Sequence, residues 1–108
     1  MSESHNHLHN VFFTLKDSSP AQVQRLVEDC FTYLEPRPGV LEFSAGARAI
    51  DCTRPVNDVE FHVALTVLFT GRDAHDAYQA SAEHDEFVAR NKPNWARARV
   101  FDSDVAAT

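Results

Sequence analysis

Apolar residues along the chain change period several times, and each change marks an element. Leu8 to Lys16 (LHNVFFTLK) is rich in aromatic and aliphatic side chains and reads as a first strand, ended by Asp17 and Ser18. Ser19-Pro20-Ala21-Gln22 then gives a helix start, with Ser19 as cap, Pro20 at the first position and Gln22 closing a capping box. Val23, Leu26, Val27, Cys30, Phe31 and Leu34 recur at helical spacing until Pro36, Pro38 and Gly39 stop the helix. Val40 to Ile50 reads as a weaker strand with Gly46 as a bulge or bend, and Asp51 to Asp58 as a loop. Glu60 to Thr70 (EFHVALTVLFT) is the strongest strand pattern. After Gly71 a helical region runs from about Asp73 to Asn91, Pro93 breaks it, and Ala96 to Asp102 makes a last strand.

The predicted order is β-α-β-β-α-β, the ferredoxin-like α+β arrangement, whose right-handed crossovers put both helices on one face of the sheet. In the third strand Phe61, Val63, Leu65, Val67 and Phe69 are expected under the helices. His62, Ala64, Thr66 and Leu68 then face the other way, and a water-facing surface would carry charge there. No third layer remains in the chain to cover that face, so a second copy is the expected partner and the protein is expected to be a homodimer. His62 falls on that expected interface, and His75 is expected on an exposed helical face.

Composition removes several function classes. Hydrophobic residues make up 44% and charged residues 24% of 108 residues, ordinary for one small folded domain. The net charge is −6 without a basic run, so neither nucleic acid nor an anionic membrane surface is an expected partner. No apolar run approaches the ~20 residues of a membrane span, and Met1 to Asn10 does not read as an export signal. Cys30 and Cys52 are therefore expected as reduced thiols in a cytoplasmic protein. No phosphate-binding glycine loop, nucleophile elbow or zinc-type cysteine pairing is present, and no cofactor is expected.

Several motifs in order resemble the stress-responsive A/B barrel (Dabb) family from Leu8 to about Asp104. They are His9 with Leu15-Lys16-Asp17, Gly46, Phe69, Ala77-Tyr78, Glu83-His84, Phe87 and Phe101-Asp102-Ser103. The resemblance implies a dimeric α+β barrel domain over 8–104, with residues 1–7 and 105–108 as tails. It implies no single activity, since the family is functionally mixed and one well-understood member is a plant polyketide cyclase that works without metal or organic cofactor. By that resemblance Tyr78 and His84 are candidate catalytic residues and His9 a pocket residue. A further pocket His of that cyclase aligns with Phe61, and its His-Pro before the catalytic His is Ser81-Ala82 in this chain.

The residues themselves leave two readings open. On one unbroken helix Tyr78 and His84 would stand about 120° apart. A break capped by Ser81 would start a new helix at Ala82, where the helix dipole favours a neutral His84. Such an imidazole could act as a general base, with the Tyr78 hydroxyl holding an enolate. The other reading is a non-catalytic, stress-related protein or a binder of a small hydrophobic molecule, with Tyr78 and His84 as packing residues. A cofactor-free monooxygenase is a third and weaker expectation. Trp95 is expected to plug the end of the core or to stack on a ligand. His5, His7 and His9 alternate and could share one face, but with no carboxylate or thiolate fixed beside them a polar tail is expected and no metal site.

Overall fold

The structure is a computed structural model and describes residues 5–107. Four strands form one antiparallel sheet: β1 (His5–Leu15), β2 (Val40–Ala47), β3 (Val63–Phe69) and β4 (Trp95–Ala106), in the order β2-β3-β1-β4. Helix α1 (Pro20–Asp29), widening into a π turn over Cys30–Leu34, crosses from β1 to β2. Helices α2 (Arg72–Gln79) and α3 (Ala82–Asn91) cross from β3 to β4. This is the ferredoxin-like α+β fold anticipated from the pattern.

Strand periodicity places the core. Val63, Leu65, Val67 and Phe69 of β3 and Val11, Phe13 and Leu15 of β1 are buried beneath the helices, with Leu26, Cys30, Leu34, Tyr78 and Phe87 packed onto them. Fully burying one such side chain contributes about 1.5–3 kcal/mol, so this layer carries most of the stability. The described residues extend 48 × 36 × 17 Å, a thickness of two layers, and among them nothing covers the second sheet face. Phe12 lies there between Phe61 and Phe101, with ring centroids 5.1 and 5.8 Å away. On the same face Thr66 donates its hydroxyl to Asn10 Oδ1 at 2.9 Å.

Several local expectations need correction. The first strand begins at His5 and the last runs to Ala106, because His5 pairs with Ala106 and His7 with Asp104 across the β1/β4 ladder. Residues 5–7 and 105–106 are therefore sheet, while the remaining N-terminal residues and Thr108 lie outside the described ones. Ser19 caps α1 through its backbone carbonyl, which accepts from Gln22 and Val23, and its side chain makes no cap bond. The irregularity in β2 sits between Val40 and Glu42 rather than at Gly46. The third strand starts at Val63, and Phe61 packs against Phe12 on the uncovered face instead of under the helices. The reason is His62, whose N–H donates to Phe13 O at 2.8 Å while its ring Nδ1 accepts from Leu15 N–H at 2.9 Å. His62 thus ends the β1/β3 ladder with its side chain rather than presenting it on the open face.

Gly39 has φ +82°, and a Cβ there would collide with Ala74 at the start of α2. This glycine lets the chain turn into β2 while its carbonyl accepts from Thr70 N–H at 2.9 Å. Asp29 ties α1 to α3, accepting from Arg90 Nε at 3.0 Å and from Asn91 Nδ2 at 3.0 Å.

Candidate active site

A single serine decides where the candidate residues point. Ser81 Oγ donates to Tyr78 O at 2.8 Å and accepts from His84 N–H at 3.1 Å. It closes the end of α2 and caps α3, so the helical region divides at the serine, the break that the Ser81 cap allowed. The break brings Tyr78 and His84 onto the same side, their rings 5.2 Å apart and edge-on. Tyr78 also meets His9 of β1, with ring centroids 5.8 Å apart, and Phe69 at 4.9 Å.

Tyr78, His84 and His9 line a cleft of about 330 Å³ between the β1/β4 half of the sheet and helices α2 and α3. Its walls are mainly apolar, from Val11, Phe13, Leu34, Leu65, Phe87 and Val100 among others. Trp95 closes one end, its ring 4.8 Å from Phe13 and 5.9 Å from Phe87. The cleft opens along β4, where Val100 is 52% exposed. About 300–1,000 Å³ with apolar walls and a few convergent polar groups is the usual form of a small-molecule site. All four sequence candidates, Tyr78, His84, His9 and Trp95, line it.

Burial sets their protonation. Desolvation lowers the His84 pKa below its ordinary 6.5, helped by repulsion from His9, so the imidazole is neutral near pH 7. Burial likewise lowers His9 against the opposing pull of Asp102. The Tyr78 hydroxyl is pushed up by desolvation, with a smaller contribution from Cys30, and stays protonated. A neutral imidazole and a protonated phenol are the forms in which these groups accept and donate a hydrogen, respectively.

The other end of the cleft holds residues that sequence reasoning missed. His75 is only 9% exposed, contrary to its expected place on an outer helical face. It lies over His7 and His9, with ring centroids at 4.2 and 5.1 Å. Asp102 Oδ1 is 2.9 Å from His7 Nε2, 2.7 Å from His9 Nδ1 and 3.6 Å from His75 Nε2. Desolvation would raise the Asp102 carboxyl, but the hydrogen bonds from His9 and His7 outweigh it and hold the group below its ordinary value. The alternation of His7 and His9 was visible in the sequence. The carboxylate beside them was not, because β4 delivers it from 93 positions away.

The fold and the cleft together define a ferredoxin-like α+β protein with a small-molecule-sized site between sheet and helices. The sequence signature of the Stress Responsive A/B Barrel Domain (Dabb) family matches residues 8–105, and the chain belongs to that family. A Dabb family protein from Mesorhizobium loti is similar at 25% identity over 92% of this chain and 95% of its own, with a TM-score of 0.76. Two further structures share the fold. One is a dimeric ferredoxin-like protein of unknown function from Thermobifida fusca, at 18% identity over 97% and 100% of the chains, TM-score 0.78. The other is a hydroxynitrile lyase from Passiflora edulis, at 20% identity over 97% of each chain, TM-score 0.77. No curated protein matches the chain.

Proposed function

We propose that the cleft binds a small, mostly apolar molecule carrying a carbonyl group, and that Tyr78 and His84 move a proton at the carbon beside it. The observation that supports this reading is the convergence of a neutral imidazole and a protonated phenol on one apolar cleft. His84 takes the proton, the C–H electron pair passes into the enolate, and the Tyr78 O–H donates to the oxygen on which the charge develops. Return of a proton from His84 completes an isomerisation or an exchange. Attack of the enolate carbon on a second carbonyl would instead form a carbon–carbon bond. Trp95 forms the flat end wall on which an aromatic or planar ligand stacks.

The protein works as a homodimer in this proposal. The apolar face around Phe12, Phe61 and Phe101 supports it, as does the Thermobifida fusca protein of the same fold, described as dimeric. If that face is covered by a second copy, the cleft on the helix side stays open. Cys30 and Cys52 are free thiols, which fits a reducing compartment such as the cytoplasm. Among the described residues no helix is long and apolar enough to cross a membrane.

The test is deuterium incorporation at the carbon beside the carbonyl of alkyl and aryl ketones in D₂O, followed by NMR. Exchange above the buffer rate is expected, falling by about 10²–10⁴ in His84→Ala and by about 10²–10³ in Tyr78→Phe. Ligand retention without exchange would leave a binding protein, the second reading of the sequence. Absence of both would overturn the proposal.

A further inference from the structure

We propose that His7, His9, His75 and Asp102 form a binding site for a divalent transition-metal ion of the zinc type at the polar end of the cleft. Each of the four residues offers one ligand atom, and these atoms all lie within 4.8 Å of one another. Donor atoms around a tetrahedral zinc stand about 3.3 Å apart, given bonds of about 2.0–2.1 Å. Small side-chain rotations therefore convert the present hydrogen-bonded cluster into a coordination shell.

The donors are held by the frame of the fold. His7 and His9 alternate on β1 and so face the same way, and His9 is the direct cross-strand partner of Asp102. His75 closes the set from α2 above the sheet. Both strand imidazoles are 3% exposed. The cluster also leaves nitrogens without partners: His7 Nδ1 and His75 Nε2 are buried and make no hydrogen bond. One carboxylate oxygen already accepts from His7 Nε2 and His9 Nδ1. A cation bound at those atoms requires each proton on the ring's other nitrogen, which for His7 is the unpartnered Nδ1, and it takes the otherwise idle His75 Nε2 lone pair.

Outer carboxylates strengthen the assignment. His75 Nδ1 lies 3.0 Å from Asp76 Oδ1, which fixes the proton there and leaves the Nε2 lone pair directed toward Asp102. A metal-bound imidazole commonly has its other nitrogen held by a carboxylate in this way. Asp104 Oδ1 stands 3.8 Å from His7 Nδ1 and is placed for the same role. Three imidazole nitrogens and one carboxylate oxygen suit Zn²⁺, Co²⁺, Ni²⁺ or Cu²⁺ rather than Ca²⁺ or Mg²⁺, which prefer oxygen. Tyr78 and His84 stand outside the donor set, so the site does not depend on the proposed carbon-acid chemistry.

The test is titration of chelator-treated full-length protein with Co²⁺, read by the visible absorption of tetrahedral cobalt, followed by displacement with Zn²⁺. One ion per chain is expected, with a rise in Tm on adding Zn²⁺. His75→Gln and Asp102→Asn should weaken binding at least about 100-fold, and Asp76→Asn by about 10-fold. His5→Gln and His84→Gln should bind as the parent does. Asp76 is exposed, so its variant keeps the test decisive if a core variant fails to fold. Binding well below one equivalent, or binding unchanged in both His75→Gln and Asp76→Asn, would overturn the site.

Discussion

The Ser81 hydroxyl accepts the His84 backbone N–H at 3.1 Å, and this bond sets the direction of the candidate base. Without it, α2 and α3 lose the cap that separates them and the reason for the two rings to share a cleft. Ser81→Ala should cost about 1 kcal/mol of stability, read by urea unfolding. Ser81→Asp, another good cap, should recover most of it. An unchanged midpoint in Ser81→Ala would show that packing of Phe87 alone fixes the helix start.

Burial of His84 makes stability depend on pH with a definite sign. Its folded pKa lies below the unfolded 6.5, so below that pH the unfolded chain takes up a proton that the folded chain refuses. The contribution is complete above 6.5 and falls away as pH drops from 6.5 to the folded pKa. His84→Gln should flatten this part of the stability curve, below about pH 6.5. NMR titration of the His84 ring should give a midpoint lower than 6.5. A midpoint above it would contradict the buried environment.

Gly39 occupies a backbone conformation that L side chains rarely adopt and stands against Ala74. Gly39→Ala should destabilise by at least about 1–2 kcal/mol from the left-handed conformation alone, with the collision adding to it. Gly46, which has open space around it, should accept Ala at little cost. Chemical denaturation of the two variants gives the comparison, and equal losses would contradict it.

The two thiols should behave oppositely. Cys30 is fully buried and desolvation pushes its pKa up to about 12, whereas Cys52 is exposed. A thiol reagent at pH 8 should modify one cysteine per native chain quickly and the second only in denaturant. Rapid modification of both in the native state would mean that the helix layer opens over Cys30.

The parts of the fold legible in the sequence are those where one local period dominates. Val63 to Phe69 alternate strictly, and the buried residues of β3 are the ones the alternation picks out. The Ser81 cap was legible too, because a cap acts through neighbours three positions away. What escaped depends on distant partners. His5 to His7 carry no strand signal of their own and join the sheet because β4 pairs with them. Phe61 continues the apolar alternation of β3 but leaves it, since the His62 ring takes the place of the next ladder bond. His75 looks like an exposed polar residue of α2 until His7, His9 and Asp102 are beneath it. The cleft itself was legible as a set of candidates, Tyr78, His84, His9 and Trp95. The cluster at its polar end was hidden because strand register is not written in local pattern.

The cleft as a ligand site is tested most directly by NMR titration of the protein, with methyl groups and all aromatic and histidine rings labelled, against a small aryl ketone. Saturable shifts are predicted for Val11, Val88, Val100, the Trp95 indole and the His84 ring, with the ketone carbonyl signal moved by the Tyr78 hydroxyl. Loss of that carbonyl shift in Tyr78→Phe, with the methyl shifts kept, would place the phenol on the ligand oxygen. No saturable shifts at these positions, or shifts confined to Phe12, Phe61 and Phe101 on the other face, would contradict the account.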